Sequence, residues 1–207
     1  MRVTARTNEP GAGRGRAEAA GVSDAVLVVR MGDGDASAYG TLVRRHLGGM
    51  LGIARRMLRD DAEAEDVAQE AMLRLWRQAD GLAVGASGVR PWLRRVVSNL
   101  CIDRIRAGRA TEVTDEVPEV GEPAGQLKSI EQGEVAVRVD AALQSLPERQ
   151  RLALTLFHYE GKSQVEIAGI MGISDEAVES LLARARRSLR TTLAGEWREL
   201  IENDEDV

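Results

Sequence analysis

The chain has 207 residues, 29% of them charged, and a formal net charge of −5, enough length for two small units that each bury a modest core. Its one cysteine, Cys101, rules out an intramolecular disulfide and fits a reducing compartment, while His46 and His158, the only histidines, have no cysteine or carboxylate constellation around them. No apolar run is long enough to span a bilayer, and no catalytic residue, metal, cofactor or small-molecule substrate is expected.

Residues 1–22 mix Gly, Ala, Arg and Glu without an apolar core and read as a disordered tail, not a secretory signal. Residues 23–108 read as one helical domain, because apolar residues recur at spacings of three and four and no strand-like alternation persists. Its first helix opens at Asp24 and runs to Met31, where Gly32 and Gly34 interrupt it. Over 36–58, Tyr39, Leu42, Val43, Leu47, Leu51, Ala54 and Leu58 line one side. After the acidic start Asp60-Asp61, residues Ala64, Val67, Ala68, Ala71, Met72, Leu75 and Trp76 keep helical spacing without a lapse. The opposite face carries Asp66, Gln69, Glu70 and Leu73, an acidic surface with one apolar residue, suited to docking on a basic partner helix.

Pro91 opens the next helix, expected to 107, at a position proline tolerates well. It joins Trp92, Leu93, Val96, Val97, Leu100 and Ile105 to the polar set Arg94, Arg95, Asn99, Asp103, Arg104 and Arg106. Asparagine offers both a donor and an acceptor to a base edge, and arginines neutralise phosphates. Aromatics make up only 3% of residues, which argues against extensive base stacking, so Trp76 and Trp92 are read as core residues. Cys101, within the apolar run, is read as an inert buried thiol.

Residues 109–133 hold Pro118, Pro123, Gly121, Gly125 and many acids, a linker composition. A second helical domain is expected over 134–195 and an acidic tail over 196–207. Within this domain Ser163 and Glu166 have the spacing of a capping box, and Val165, Ile167, Ala168, Ile170 and Met171 give the helix a buried side. Gly172 permits a sharp turn, Ile173 plugs the corner, and Ser174 restarts a helix with Asp175 and Glu176 in its first turn. Val178, Leu181, Leu182, Ala185 and Leu189 repeat inward, leaving Glu176, Glu179, Ser180, Ala183 and Arg187 outward, beside the cluster Arg184, Arg186, Arg187 and Arg190. A short helix, a tight turn and a second helix with polar reach form a helix-turn-helix that fits a major groove. The fold class expected is all-α: two small helical domains joined by a flexible acidic linker, the second containing the helix-turn-helix.

The isoelectric point of about 5.3 is unusual for a protein that binds DNA unaided. Two basic blocks, Arg94–Arg109 and Arg184–Arg190, flank an acidic connector, which suggests two nucleic-acid contacts held by a larger partner.

Three segments carry a resemblance. Residues 61–76, DAEAEDVAQEAMLRLW, resemble the core-polymerase-binding segment of bacterial sigma factors. Residues 91–106, PWLRRVVSNLCIDRIR, resemble the helix that reads the −10 promoter element. Residues 146–151, LPERQR, followed by the helix-turn-helix, resemble the domain that reads the −35 element. Their order, the acidic linker and the short length point to the extracytoplasmic-function (ECF) group of the sigma-70 family. The resemblance implies that Asp66, Gln69, Glu70 and Leu73 dock on the beta-prime clamp of core RNA polymerase, with a second contact on the beta flap. It implies that Arg94, Arg95, Asn99, Asp103, Arg104 and Arg106 face the −10 strand, with the loop over 81–90 helping to hold a flipped base. Ser174, Glu176, Glu179, Ser180, Ala183, Arg184 and Arg187 would face the −35 element, and the acidic linker would thread the polymerase cleft. Promoter DNA, an anti-sigma factor and a cytoplasmic, nucleoid-associated location follow from the same resemblance. Glu179 departs from the basic residue many ECF members carry there; an acid accepts from a cytosine amino group, so the −35 sequence read would differ from the commonest one. Two other readings compete. A response-regulator or quorum-sensing type activator needs a receiver or ligand-binding domain upstream, and 23–108 lacks the strand–helix alternation of a receiver. A sigma-mimic interaction protein would keep the acidic face but could dispense with the DNA arginines, which are present here.

Overall fold

The computed structural model describes residues 21–112 and 138–204, with side chains described through 109 and over 138–194. The expected N-terminal tail through 20 and the linker from 113 lie outside the described residues. The first unit is built from α1 (Asp24–Gly32), α2 (Ala36–Met57), α3 (Asp61–Arg77) and α4 (Arg90–Glu112). Each of the first three starts on a short polar side chain in extended backbone that accepts a free N–H of the first turn. Ser23 accepts from Val26, Asp35 from Ser37 and Ala38, and Asp60 from Glu63. The long helix α2 packs against α1, α3 and α4. Leu42, Met50, Ile53 and Met57 of α2 meet Val67, Ala71 and Leu75 of α3 and Leu93 and Val97 of α4 in the buried core. Helix α4 starts at Arg90, with Pro91 in its first turn, and runs beyond the expected end at 107 to Glu112.

The second unit comprises α5 (138–144), α6 (Glu148–Leu154), a π-helical turn (Thr155–Tyr159), α7 (Gln164–Met171) and α8 (Asp175–Asp204). Leu152, Leu156, Ile167, Val178, Leu182 and Ala185 form its centre. The backbone of α8 continues through the segment expected as a tail as far as Asp204. Residues 196–204 contain acids but neither Gly nor Pro, and acidic composition alone does not stop a helix already nucleated upstream. Among the described residues there is no strand. No described helix is long and apolar enough to cross a membrane.

The two units touch. Helix α4 lies against α6 and α7, and α2 against α6 and the π-turn, so both contribute to one continuous apolar cluster.

A polar knot fastens the start of the first unit. Asp24 accepts from Arg45 Nη1 at 3.0 Å and from Val89 N at 3.2 Å, and lies 2.9 Å from His46 Nε2. Gly88, at φ +69°, is required beside it: a Cβ there would stand 2.4 Å from Asp24 Oδ2, besides straining the backbone. His46 is buried, and burial together with the cations Arg90 and Arg45 depresses its pKa more than Asp24 raises it. The Asp24 carboxyl is also held below its ordinary value: burial opposes ionisation, but the Val89, Arg45 and His46 contacts together outweigh it. Both groups bind protons more readily in the unfolded chain, so both contribute stability that is lost on acidification. The loss should begin as pH falls through the ordinary histidine range near 6.5, followed by the carboxyl's share near and below about 4. Denaturant unfolding across pH should show the wild type losing ground to His46→Gln as pH drops below that range. A difference that is flat or grows on acidification would contradict this assignment.

Candidate polymerase and nucleic-acid interfaces

Helix α3 separates its two faces cleanly. Ala64, Val67, Ala68, Ala71, Met72 and Leu75 are buried, while Asp66, Gln69 and Leu73 are exposed and Glu70 is half-buried. Arg74 Nε donates to Glu70 at 2.9 Å and Arg77 stands 3.8 Å away, and these cations hold the Glu70 carboxyl below its usual range. Glu70 therefore keeps its charge at neutral pH. Trp76, expected in the core, is 38% exposed and meets Tyr39 edge to face at a centroid distance of 4.9 Å. Spacing places it near the buried stripe, but at the last turn of α3 one edge of the ring extends past its neighbours. Leu73, 44% exposed, follows Gln69 and Glu70 at helical spacing, and Trp76 follows Leu73, giving the acidic face an apolar end. Sequence spacing alone could not separate a core ring from one on the margin.

Helix α4 divides the residues expected to face the −10 strand among its sides. Arg95, Asn99, Asp103 and Arg106 are exposed and follow one another at spacings of three and four. Arg104 lies on another side, 3.6 Å from Glu63 of α3. Arg94 is turned toward the second unit and is only 9% exposed: its Nε and Nη2 donate to Glu160 Oε2 at 2.9 and 2.7 Å. Arg106 and Arg109 reach the two carboxylate oxygens of Glu148 at 3.3 and 2.9 Å. Glu148 is held ionised in spite of partial burial, by its own helix-start N–H and by these arginines. Cys101 sits on the inner side of α4, fully covered, and burial pushes its thiol up to about 12, so a reactive thiolate is strongly disfavoured at neutral pH. A cleft of about 570 Å³ lies between α4 and α7, edged by Arg90, Arg94, Arg95 and Lys162 with Glu166 among them.

The helix-turn-helix forms largely as its residues dictate, except that Val165, expected on the buried side of α7, stands in its first turn 66% exposed, while Ile167, Ala168 and Ile170 are buried. Ser163 Oγ accepts from Glu166 N, and the Glu166 carboxylate accepts in return from Ser163 N at 2.9 Å, a complete capping box. Lys162 and these Ser163 contacts hold the Glu166 carboxyl down to about 2. Gly172 ends α7 at φ +64°, ψ +42°, the left-handed conformation the turn needs. Ser174 then caps α8 by accepting from Ala177 N at 3.3 Å. Glu176, Glu179, Ala183, Arg184 and Arg187 are exposed along the first half of α8, Ser174 is exposed at its start, and Ser180 is half-buried among them. Arg186 turns back over the Phe157 ring at 5.2 Å.

Two features escaped the sequence. The π-turn inserts one extra residue per turn, with Glu160 N donating to Thr155 O at 3.2 Å, and it presents Tyr159 and Glu160 to the first unit. Arg151, only 4% exposed, is the buried hub of the turn between α5 and α6. Among the described residues no cluster of three or more His, Cys, Asp and Glu has the makings of a metal site.

Comparison with known proteins agrees with this architecture. Residues 42–111 match the family model for Sigma-70 region 2, and residues 136–189 that for Sigma-70 region 4. The chain is 35% identical to the ECF RNA polymerase sigma factor SigM of Mycobacterium tuberculosis over 83% of this chain and 85% of that protein. It is 34% identical to a probable RNA polymerase sigma factor, RfaY, of Xanthomonas campestris pv. campestris; that match covers 75% of this chain and 40% of the relative. Among solved structures it resembles CnrH in complex with the cytosolic domain of CnrY, with a TM-score of 0.61 and 26% identity over 83% of this chain and 97% of that one. Two helical units in this order, matched by the region 2 and region 4 models, one with an exposed acidic face and the other with a helix-turn-helix, define a transcription-initiation factor. The chain belongs to the ECF group of sigma-70-family RNA polymerase sigma factors. Region 2 occupies the stretch where a self-sufficient activator would need its receiver, so that alternative falls away.

Proposed function

We propose that this chain binds core RNA polymerase through Asp66, Gln69, Glu70 and Leu73 of α3, with Trp76 extending the contact, and directs initiation at promoters read by its two units. Its organisation is a region-2-like unit over 23–108, an acidic linker, and a region-4-like unit over 134–195. Arg95, Asn99, Asp103 and Arg106 would lie along the −10 strand, with Arg94 and Arg104 supplying charge at its flanks. The outer face of α8 from Ser174 to Arg187 would enter the major groove at −35. Polymerase would supply the catalysis, and the chain none of its own. It would work in the bacterial cytoplasm, governed by an anti-sigma factor that occupies both units. CnrH, of similar fold, was solved with the cytosolic domain of CnrY, and that supports a protein regulator here. The observation that carries the reading is the exposed acidic face of α3 on the same chain as a fully capped helix-turn-helix.

Purified chain added to core polymerase should yield discrete run-off transcripts from a genomic promoter library. Core polymerase with the chain initiating no more selectively than core alone would refute the reading.

A further inference from the structure

The loop between α3 and α4 is pinned at both ends and open at its tip. Leu82 and Val84 pack against the apolar core, and Val89 is buried. Between them positions 85–87 are exposed, and Gly88 N donates to Gly85 O at 3.0 Å to close a turn. The tip reads Gly85, Ala86, Ser87, Gly88, so little side chain screens its main chain, which can offer both N–H and C=O groups to a base edge. Ser87 borders the same cleft as Arg90 and Arg95 at the start of α4. A strand laid along Arg106, Asp103, Asn99 and Arg95 therefore arrives at this tip.

Helix α1 fixes where the tip stands. At its first residue, the Asp24 carboxylate accepts the Val89 N–H while Arg45 and His46 of α2 hold it from behind. Val89 directly precedes α4, so this one contact sets the exit of the loop and the start of the helix together. The Asp24 side chain is only 12% exposed, which leaves water little access to a bond of the stronger, charge-assisted kind. At the other end of α1, about 12 Å along its axis, Gly32 abuts the turn Ala79–Gly81. The approach is so close that a Cβ on Gly32 would stand 2.8 Å from Asp80 Oδ1. One short helix thus braces the loop at its entrance and at its exit.

We propose that Asp24 is a positioning residue for base reading: through Val89 it holds the 85–88 turn in line with the polar row of α4, where the loop reads one base of the −10 strand. This rests on the function proposed above, in which α4 lies along that strand. Asp24 itself touches no DNA. Hydrogen bonds weaken steeply when donor and acceptor are misaligned, so a loop released at its exit loses selectivity even where the surrounding helices stay folded.

The test uses holoenzyme formed from core polymerase and the full chain. Its template is a promoter that the wild type selects from a genomic library, with the −10 element randomised in one pool and the −35 element in another. Asp24→Ala should cut discrimination at one or two adjacent −10 positions by about tenfold and leave the −35 profile unchanged. Gly88→Ala, which pushes on the same carboxylate, should flatten the same positions. Asp24→Asn keeps the shape and an oxygen that can accept from Val89, so it should retain part of the discrimination. Ile53→Val thins the core of the same unit and should lower yield from all templates alike, with the −10 profile unmoved. Asp24 and Gly88 variants that behave like Ile53→Val, losing yield with wild-type base preferences, would overturn the proposal, as would equal losses at −10 and −35. Far-ultraviolet circular dichroism checks folding, and Asp24→Asn with Gly88→Ala decides the matter if alanine at 24 unfolds the unit. A wild type that makes no selective transcripts refutes the proposed function and this inference with it. A selective wild type whose −10 profile survives in the variants refutes this inference alone.

Discussion

Reversing charge at Asp66 and Glu70 together, Asp66→Lys with Glu70→Lys, should weaken association with core polymerase by about a hundredfold while the chain stays folded. Both residues stand on the solvent side of α3, opposite Ala64, Val67, Ala68 and Ala71, so the core is untouched. The variant does lose the Glu70 contacts with Arg74 and Arg77, but exposed pairs of that kind contribute little to stability. Two new cations facing a basic partner helix would add repulsion to the lost attraction, and this makes the expected effect large. Truncating Leu73 or Trp76 to alanine should also weaken binding, but with little change in its salt dependence, since area and not charge is removed. Fluorescence anisotropy of labelled chain against core polymerase, at two salt concentrations, measures both effects. Unchanged affinity in the double lysine variant with an unaltered unfolding midpoint would remove α3 from the docking surface.

Most of the fold was legible because local signals agreed with each other. The α3 stripe, the Ser163–Glu166 box, the Gly172 turn and the Ser174 cap are contacts within a few residues, and the chain forms them as its spacing dictates. The candidate site was legible to the same extent: exposure of Asp66, Gln69, Leu73 and the α8 face follows from helical periodicity. What periodicity cannot supply is the relation between distant segments. Arg94 and Arg95 are adjacent in sequence and look interchangeable there. One is buried against Glu160, 66 residues away, and the other faces outward. The π-turn has no reliable single-residue signature, so the displacement of Glu160 was invisible. Trp76 and the continuation of α8 to Asp204 were misplaced for simpler reasons, a ring at the edge of a stripe and a composition mistaken for a stop.

Arg151→Ala should be the most damaging single change in the second unit. Its guanidinium donates to Leu146 O at 3.1 Å, to the main-chain and side-chain oxygens of Gln144, and to Met57 O across the interface. Burial brings its pKa down to about 10, with the cations Arg59 and Arg109 adding to the effect, yet it remains protonated at neutral pH. A buried cation is tolerated here because carbonyl oxygens surround it, with the nearby carboxylates of Asp140 and Glu148 also favouring its charged form. Truncation leaves those oxygens without donors in a closed space and opens a void, at a cost of roughly 3 kcal/mol. That corresponds to a fall of about 10 °C or more in the unfolding midpoint of a unit this small. Arg151→Lys keeps the charge but has one nitrogen in place of a planar fork, so it should recover less than half of the loss. Arg151→Met fills volume without donors and should behave nearly as badly as alanine. The three variants separate hydrogen bonding from charge and from packing when measured by calorimetry on the full chain. A methionine variant as stable as the wild type would show that the fork contributes shape alone, and would transfer the stability of the α5–α6 turn to Leu146 and Leu152 beside it.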